Sequence, residues 1–218
     1  MSDPEPRDTD AARRSTAARY QEGADPADLF EQLYATGAGW TRTTPDPLLA
    51  EWAARRRLNG SGRSAIVVGS GLGADAEYVA ALGFDTVAFD VSPTAIRLAR
   101  ERHPASAVRY LVADLLTPPA EWVRAFDLVV EIVTVQALPE PLRRRAIINV
   151  SDLVAPGGTL LVIAWRHVEG GPPPPPWPLQ RAEIDAFATD GLRPVQVEEL
   201  VASGSRFEPR WRAEFRRD

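Results

Sequence analysis

Ala65-Ile66-Val67-Val68-Gly69-Ser70-Gly71-Leu72-Gly73-Ala74-Asp75 decides how the rest of the chain is read. A short β-branched run ends in three glycines at alternate positions, and a helical pattern begins at once. Physically, a buried strand breaks into a tight turn whose backbone must lie close against something. The N-terminus of the following helix points its free N–H groups at the same spot. Such a turn suits a nucleotide-type cofactor, but a glycine turn alone is weak grounds for one.

With 218 residues the chain can hold one well-cored α/β domain plus extra segments. A hydrophobic content of 44% with 25% charged residues is ordinary for a globular protein. No apolar run approaches the roughly 20 residues that cross a bilayer. The opening residues are polar and lack the apolar centre of a secretory signal, so the expectation is a cytoplasmic protein with no membrane partner. Cysteine is absent, which excludes disulfides, thiolate nucleophiles and cysteine-metal sites. Two histidines argue against a multi-histidine metal site, and no metal is expected. A net charge of -5 and a pI near 5.2 argue against general nucleic-acid binding. Every basic residue is arginine, which excludes lysine Schiff-base and P-loop lysine chemistry.

Residues 1–24 read as a flexible, solvated arm, and 25–218 as a single domain. Within that domain, 25–60 form a helical cap and 61–218 a Rossmann-like core. Asp25-Pro26 and Pro47 open two cap helices, and Gly37–Pro47 between them is a loop carrying Trp40 and Arg42. In the core, strands are predicted at 64–69, 85–90, 107–112, 126–131 and 158–165, with helices at 74–82, 93–102 and 140–154. A helix at 181–189 and strands at 194–200 and 206–216 follow. The alternation predicts a doubly wound, mostly parallel seven-stranded α/β sheet with helices on both faces. Five prolines at 172–176 predict an extended segment. We expect it to form a stiff rim or lid with Trp177 as its apolar contact; a plain connector or a docking site for a partner's aromatic groove are the other readings.

Two acids complete the constellation. Asp90 ends Val87-Ala88-Phe89-Asp90, and Asp114 ends Tyr110-Leu111-Val112-Ala113-Asp114. Ligands of doubly wound sheets sit outside the carboxyl ends of the strands. An acid after the second strand suits a pair of ribose hydroxyls, and one after the third suits an exocyclic amine. Each Asp alone also reads as a turn residue or helix cap. The third glycine comes one position earlier than in the dinucleotide pattern G-x-G-x-x-G, which favours S-adenosyl-methionine over a nicotinamide cofactor.

Val67 to Pro104 resembles the class I S-adenosyl-methionine-dependent methyltransferases, with Ser70 where many members have Cys. Phe126-Asp127-Leu128-Val129-Val130-Glu131 looks like that family's fourth strand, and Leu153-Val154-Ala155-Pro156-Gly157-Gly158-Thr159-Leu160 like its helix–turn–fifth strand segment. A finer resemblance, to the thiopurine/thiol methyltransferase-like branch, rests on the Trp-bearing N-terminal loop, the Gly-Gly-Pro-Pro run and Pro178–Phe187. The resemblance implies S-adenosyl-methionine contacts at Gly69, Ser70, Gly71 and Gly73, ribose contacts at Asp90 with Val91 beside it, and adenine contacts at Asp114 and Leu115. Glu131 and Ile132 would flank the sulfonium, and Trp40 would place an aromatic face near it, although a core anchor for the N-terminal helices is the other reading of Trp40.

It further implies methyl transfer to a small molecule, with a thiol sulfur as acceptor. A thiol has a pKa near 8.5 and needs little help from a base, whereas an alcohol needs far more. O- or N-methylation, or a non-catalytic cofactor-binding regulator, are the alternatives. Arg42, Arg166 and Trp177 are candidate substrate contacts. His167 is the candidate proton acceptor, with a solvated loop residue as its bland reading. The protein is expected to act as a monomer or homodimer.

Overall fold

The turn at Gly69 follows β1 (Ser64–Val68), whose last four residues are buried because the strand lies at the centre of the sheet. The structure is a computed structural model, and it describes residues 18–20, 22–37, 42–169, 175–200 and 209–218. Parallel strands β2 (Asp85–Asp90) and β4 (Phe126–Ile132) pair on either side of β1. Outside them lie β3 (Arg109–Val112) and β5 (Val154–Trp165), also parallel. β6 (Leu192–Leu200) and β7 (Arg210–Arg217) complete the sheet, and β7 runs antiparallel to both β5 and β6. The order is β3-β2-β1-β4-β5-β7-β6. The connections therefore reverse direction between β1 and β4, the switch point where α/β sheets open a ligand crevice.

Alternate residues of the central strands fill two cores. Ile66, Val68, Phe89, Val129 and Val162 face one side, and Ala65, Val67, Ala88, Val130 and Ile163 face the other. This is the burial on both faces that a parallel sheet needs. The helices are α1 (Pro26–Ala35), α2 (Pro47–Arg55), α3 (Ala74–Ala81), α4 (Pro93–Arg102), α5 (Leu142–Asp152) and α6 (Arg181–Asp185). Asp25, Asp46 and Ser92 cap α1, α2 and α4 with side-chain oxygens, each followed by proline at the first helical position.

Several boundaries move from the sequence expectation. The helix predicted over 140–154 ends at Asp152, and β5 starts at Val154, with Ala155-Pro156-Gly157-Gly158 inside it. The ladder to β4 shifts register there, between Phe126 and Leu128. A Cβ on Gly158 would stand 2.8 Å from the Ala155 carbonyl and 2.9 Å from that of Phe126, so glycine permits the irregular start. The helix predicted at 181–189 stops at Asp185. No described helix is long and apolar enough to cross a membrane.

Candidate active site

Gly69, Gly71 and Gly73 have φ of 58°, 50° and 90°, which is why glycines alternate here. Two are also fixed by packing. A Cβ on Gly69 would lie 2.4 Å from Thr134 Oγ1, and one on Gly73 would lie 2.2 Å from the Tyr110 hydroxyl. The turn is tied to β2: Ser70 N–H donates to the Phe89 carbonyl at 2.8 Å, and Gly71 N–H donates to Asp90 Oδ2 at 2.9 Å. Asp90 Oδ1 accepts from Ser92 N–H at 3.0 Å. Burial pushes this carboxyl above its ordinary value, against the pull of those N–H groups. Each of its oxygens keeps a further acceptor position.

α1 lies over this corner. Glu31 accepts from Ser92 Oγ (2.6 Å), Thr94 N–H (3.0 Å) and Thr94 Oγ1 (2.6 Å), so it caps α4 from another element and is held below the usual carboxylate range. One turn on, Tyr34 is buried against Leu72 and Ala95. Burial and the neighbouring Asp90 charge raise its hydroxyl well above its ordinary value. Sequence reading missed both residues. Their spacing marks one helix face, but nothing local says where that face docks.

At the end of β4, Glu131 is wholly buried. Its Oε1 accepts N–H groups of Thr134 (2.7 Å) and Val135 (3.0 Å), while Oε2 has no partner. Val133, between Glu131 and these donors, sits at φ 64°, an unfavourable conformation for a β-branched residue. This kink turns the following N–H groups back onto Glu131. Burial pushes the carboxyl up to about 7, opposed by the two N–H groups and by Arg210. Ile132 is half-buried beside it.

Arg42 donates to Asp75 Oδ2 and lies 3.4 Å from Asp46, which Arg210 also pairs at 3.1 Å. Asp75 Oδ1 accepts Asp46 N–H at 2.7 Å. The candidate substrate arginine is thus held by two acids, Asp46 at the start of α2 and Asp75 at the start of α3. Arg166 is half-buried and pairs Glu199 at 3.7 Å, whereas His167 is exposed, its N–H donating to the Leu179 carbonyl at 2.9 Å. Asp114 makes a turn, accepting from Leu116 N–H (2.8 Å) and Thr117 Oγ1 (3.3 Å); Leu115 is buried in the core, and Val91 is half-buried. Trp177 N–H donates to the Gln136 carbonyl at 2.6 Å. Tyr20 meets the Trp177 ring edge-on at 5.6 Å and donates to the Ala137 carbonyl at 3.2 Å. Pro175 and Pro176 are buried; Trp40 and Pro172–Pro174 lie outside the described residues. Among the described residues, no group of histidines and acids is arranged to hold a metal.

The turn, Asp90 and Glu131 lie at the carboxyl ends of β1, β2 and β4, around the switch point. Buried polar atoms without partners include Ser70 Oγ and Glu131 Oε2 here, together with Gln136 Nε2, Arg166 Nε and Arg210 Nε. A polar, cationic nucleoside ligand fits such a site, because it offers hydroxyls to one side and charge to the other. A cavity of about 310 Å³ among Trp52, Arg55, Arg56, Gln196, Glu198 and Arg212 lies instead on the β6–β7 flank.

A family profile described as a methyltransferase domain matches residues 65–158. No curated protein matches the chain. Among solved structures, the N-methyltransferase NodS from Bradyrhizobium japonicum WM9, in complex with S-adenosyl-L-homocysteine, is 25% identical, with a TM-score of 0.65 over 88% of this chain and 99% of that one. A TehB-like S-adenosyl-methionine-dependent methyltransferase from Corynebacterium glutamicum aligns over 96% of this chain and 100% of its own, at 18% identity and a TM-score of 0.62. A structure solved for the conversion of a disulfide bond into a thioacetal group during echinomycin biosynthesis gives a TM-score of 0.70 at 22% identity, over 88% of this chain and 93% of that one. The chain has the class I methyltransferase fold, and it is an S-adenosyl-methionine-dependent methyltransferase.

Proposed function

We propose that the chain methylates a small molecule whose nucleophile carries a proton, with a thiol sulfur as first choice and a nitrogen as second. The observation that carries the small-molecule reading is the closure of the site's flanks. α1 covers the Asp90 corner, and Tyr20 bridges to Ala137 and Trp177 beyond β4. That enclosure suits a compact acceptor better than a polymer.

S-adenosyl-methionine supplies a methyl group activated on a sulfonium. The chain's own residues must bind, align and exclude water. In this reading Asp90 accepts from the ribose hydroxyls, Ser70 meets a polar group at the turn, and Asp114 meets the adenine edge. Trp177 and Tyr20 supply the acceptor wall. A thiol is already partly ionised at neutral pH and asks little of this machinery. Two facts favour nitrogen as the second reading: a carboxyl held near 7 at Glu131 suits removal of an N–H proton, and the NodS likeness is to an N-methyltransferase.

Incubating the protein with methyl-labelled S-adenosyl-methionine and panels of small thiols, amines and phenols tests this. Label transfer to thiols supports the first reading and to amines the second. Transfer to phenols alone overturns both.

A further inference from the structure

Glu131 differs from Asp90 in having its hydrogen bonds only half made. Both oxygens of Asp90 accept N–H groups, but Glu131 Oε2 is buried and bare. Ionising a buried carboxyl with one unpartnered oxygen is costly, in keeping with its rise to about 7. Its strand neighbours do nothing to offset that cost. It stands level with Val68 on β1 and Val162 on β5, and Val133, Thr134, Val135 and Gln136 follow it without a charge. Among the described residues, Arg210 at the start of β7 is the charged group that acts on it, and Arg210 is itself paired with Asp46.

A bare Oε2 is satisfied either by its own proton or by a cation. The methyl donor carries a cationic sulfonium, and the demethylated product carries a neutral thioether. Resting on the methyl-transfer reading above, we infer that Glu131 gives up its proton to solvent when the donor binds and keeps it when the product binds. The site then tells donor from product by charge. No other bond changes in this step. After transfer the carboxylate faces a neutral sulfur, and taking a proton back removes the buried charge while the product leaves.

The test is calorimetric titration near pH 7 in two buffers of different ionisation enthalpy, with S-adenosyl-methionine and S-adenosyl-homocysteine as probes. The donor is expected to release more protons than the product. Its affinity should rise with pH below about 7, by up to about tenfold per unit, the limit for one linked proton. Affinity for the product should stay flat or fall over the same range. In Glu131→Gln, checked for cooperative unfolding, the difference in proton release and in pH dependence should vanish.

Equal proton release and equal pH dependence for the two ligands on the wild-type protein would overturn the inference while leaving methyl transfer intact. So would a difference that persists in the folded variant, since the proton would then belong to another buried acid such as Asp75 or Asp90. Failure of both ligands to bind would remove the methyl-transfer reading, and the inference with it. The wild-type comparison does not depend on how the variant folds.

Discussion

Asp90 accepts N–H groups from both Gly71 and Ser92, so a single carboxylate joins the glycine turn to the start of α4. Removing it should loosen the turn and delete the proposed ribose acceptor together. Asp90→Ala is expected to weaken S-adenosyl-methionine binding by about 1–3 kcal/mol, the usual cost of a lost buried polar partner. Wild-type affinity by calorimetry would take Asp90 out of the site. Gly73 makes a different demand. At φ 90°, with the Tyr110 hydroxyl 2.2 Å from where a Cβ would stand, Gly73→Ala meets both backbone strain and a clash. The strain alone is worth roughly 1–2 kcal/mol, so chemical denaturation should show a loss of at least that size; an unchanged midpoint would refute the packing account. Glu131 also makes the unliganded protein sensitive to pH. Its folded value lies above its ordinary one, so its stabilising contribution is full in acid and is lost as pH rises through about 7. Glu131→Gln should flatten that part of the stability profile.

Among the elements, α1 is the one whose placement depends most on a few side chains. Glu31 binds the first turn of α4, and its carboxyl lies below the ordinary range because Ser92 and Thr94 donate to it. The sign follows: this contact is present above the ordinary carboxylate value and is lost as pH falls through the depressed one. Glu31→Ala should raise hydrogen exchange in α1 while the β1 and β4 amides stay protected. Equal exchange in α1 would show that Tyr34 packing alone holds it. Most elements were legible beforehand because their signals are local. β-branched runs give β1, β2 and β4, and Ser92-Pro93 opens α4 as its cap and first residue. The glycine turn and Asp90 were legible for the same reason. Contacts between distant elements were not. Glu31 with Ser92, Tyr20 with Ala137, and Arg42 with Asp75 join segments far apart in sequence, and no periodicity encodes such pairings. Arg42 read as a substrate contact because its main partner, Asp75, is far away in the chain, and the nearby Asp46 alone does not announce the pairing. The half-made bonds of Glu131 depend on the kink at Val133, which its residue type argues against.

At the scale of the whole molecule, the sheet order places the reversal of connections between β1 and β4, and the buried acids with open acceptor positions gather there. The antiparallel β7 brings Arg210 to the same end of the sheet, where it meets Asp46 and bears on Glu131. The far end is closed by Arg217, which donates to the carbonyls of Val154, Asp190 and Ser151 and so ties the last strand to α5 and β5. One end of the sheet is thus tied together by Arg217, and the other carries the unpartnered Ser70 Oγ and Glu131 Oε2 beside the switch point. The most direct measurement is calorimetric titration of the wild-type protein with S-adenosyl-methionine, S-adenosyl-homocysteine and NAD. The account predicts that the first two bind and compete for one site while NAD does not bind. Binding of NAD with no response to either adenosyl ligand would contradict it.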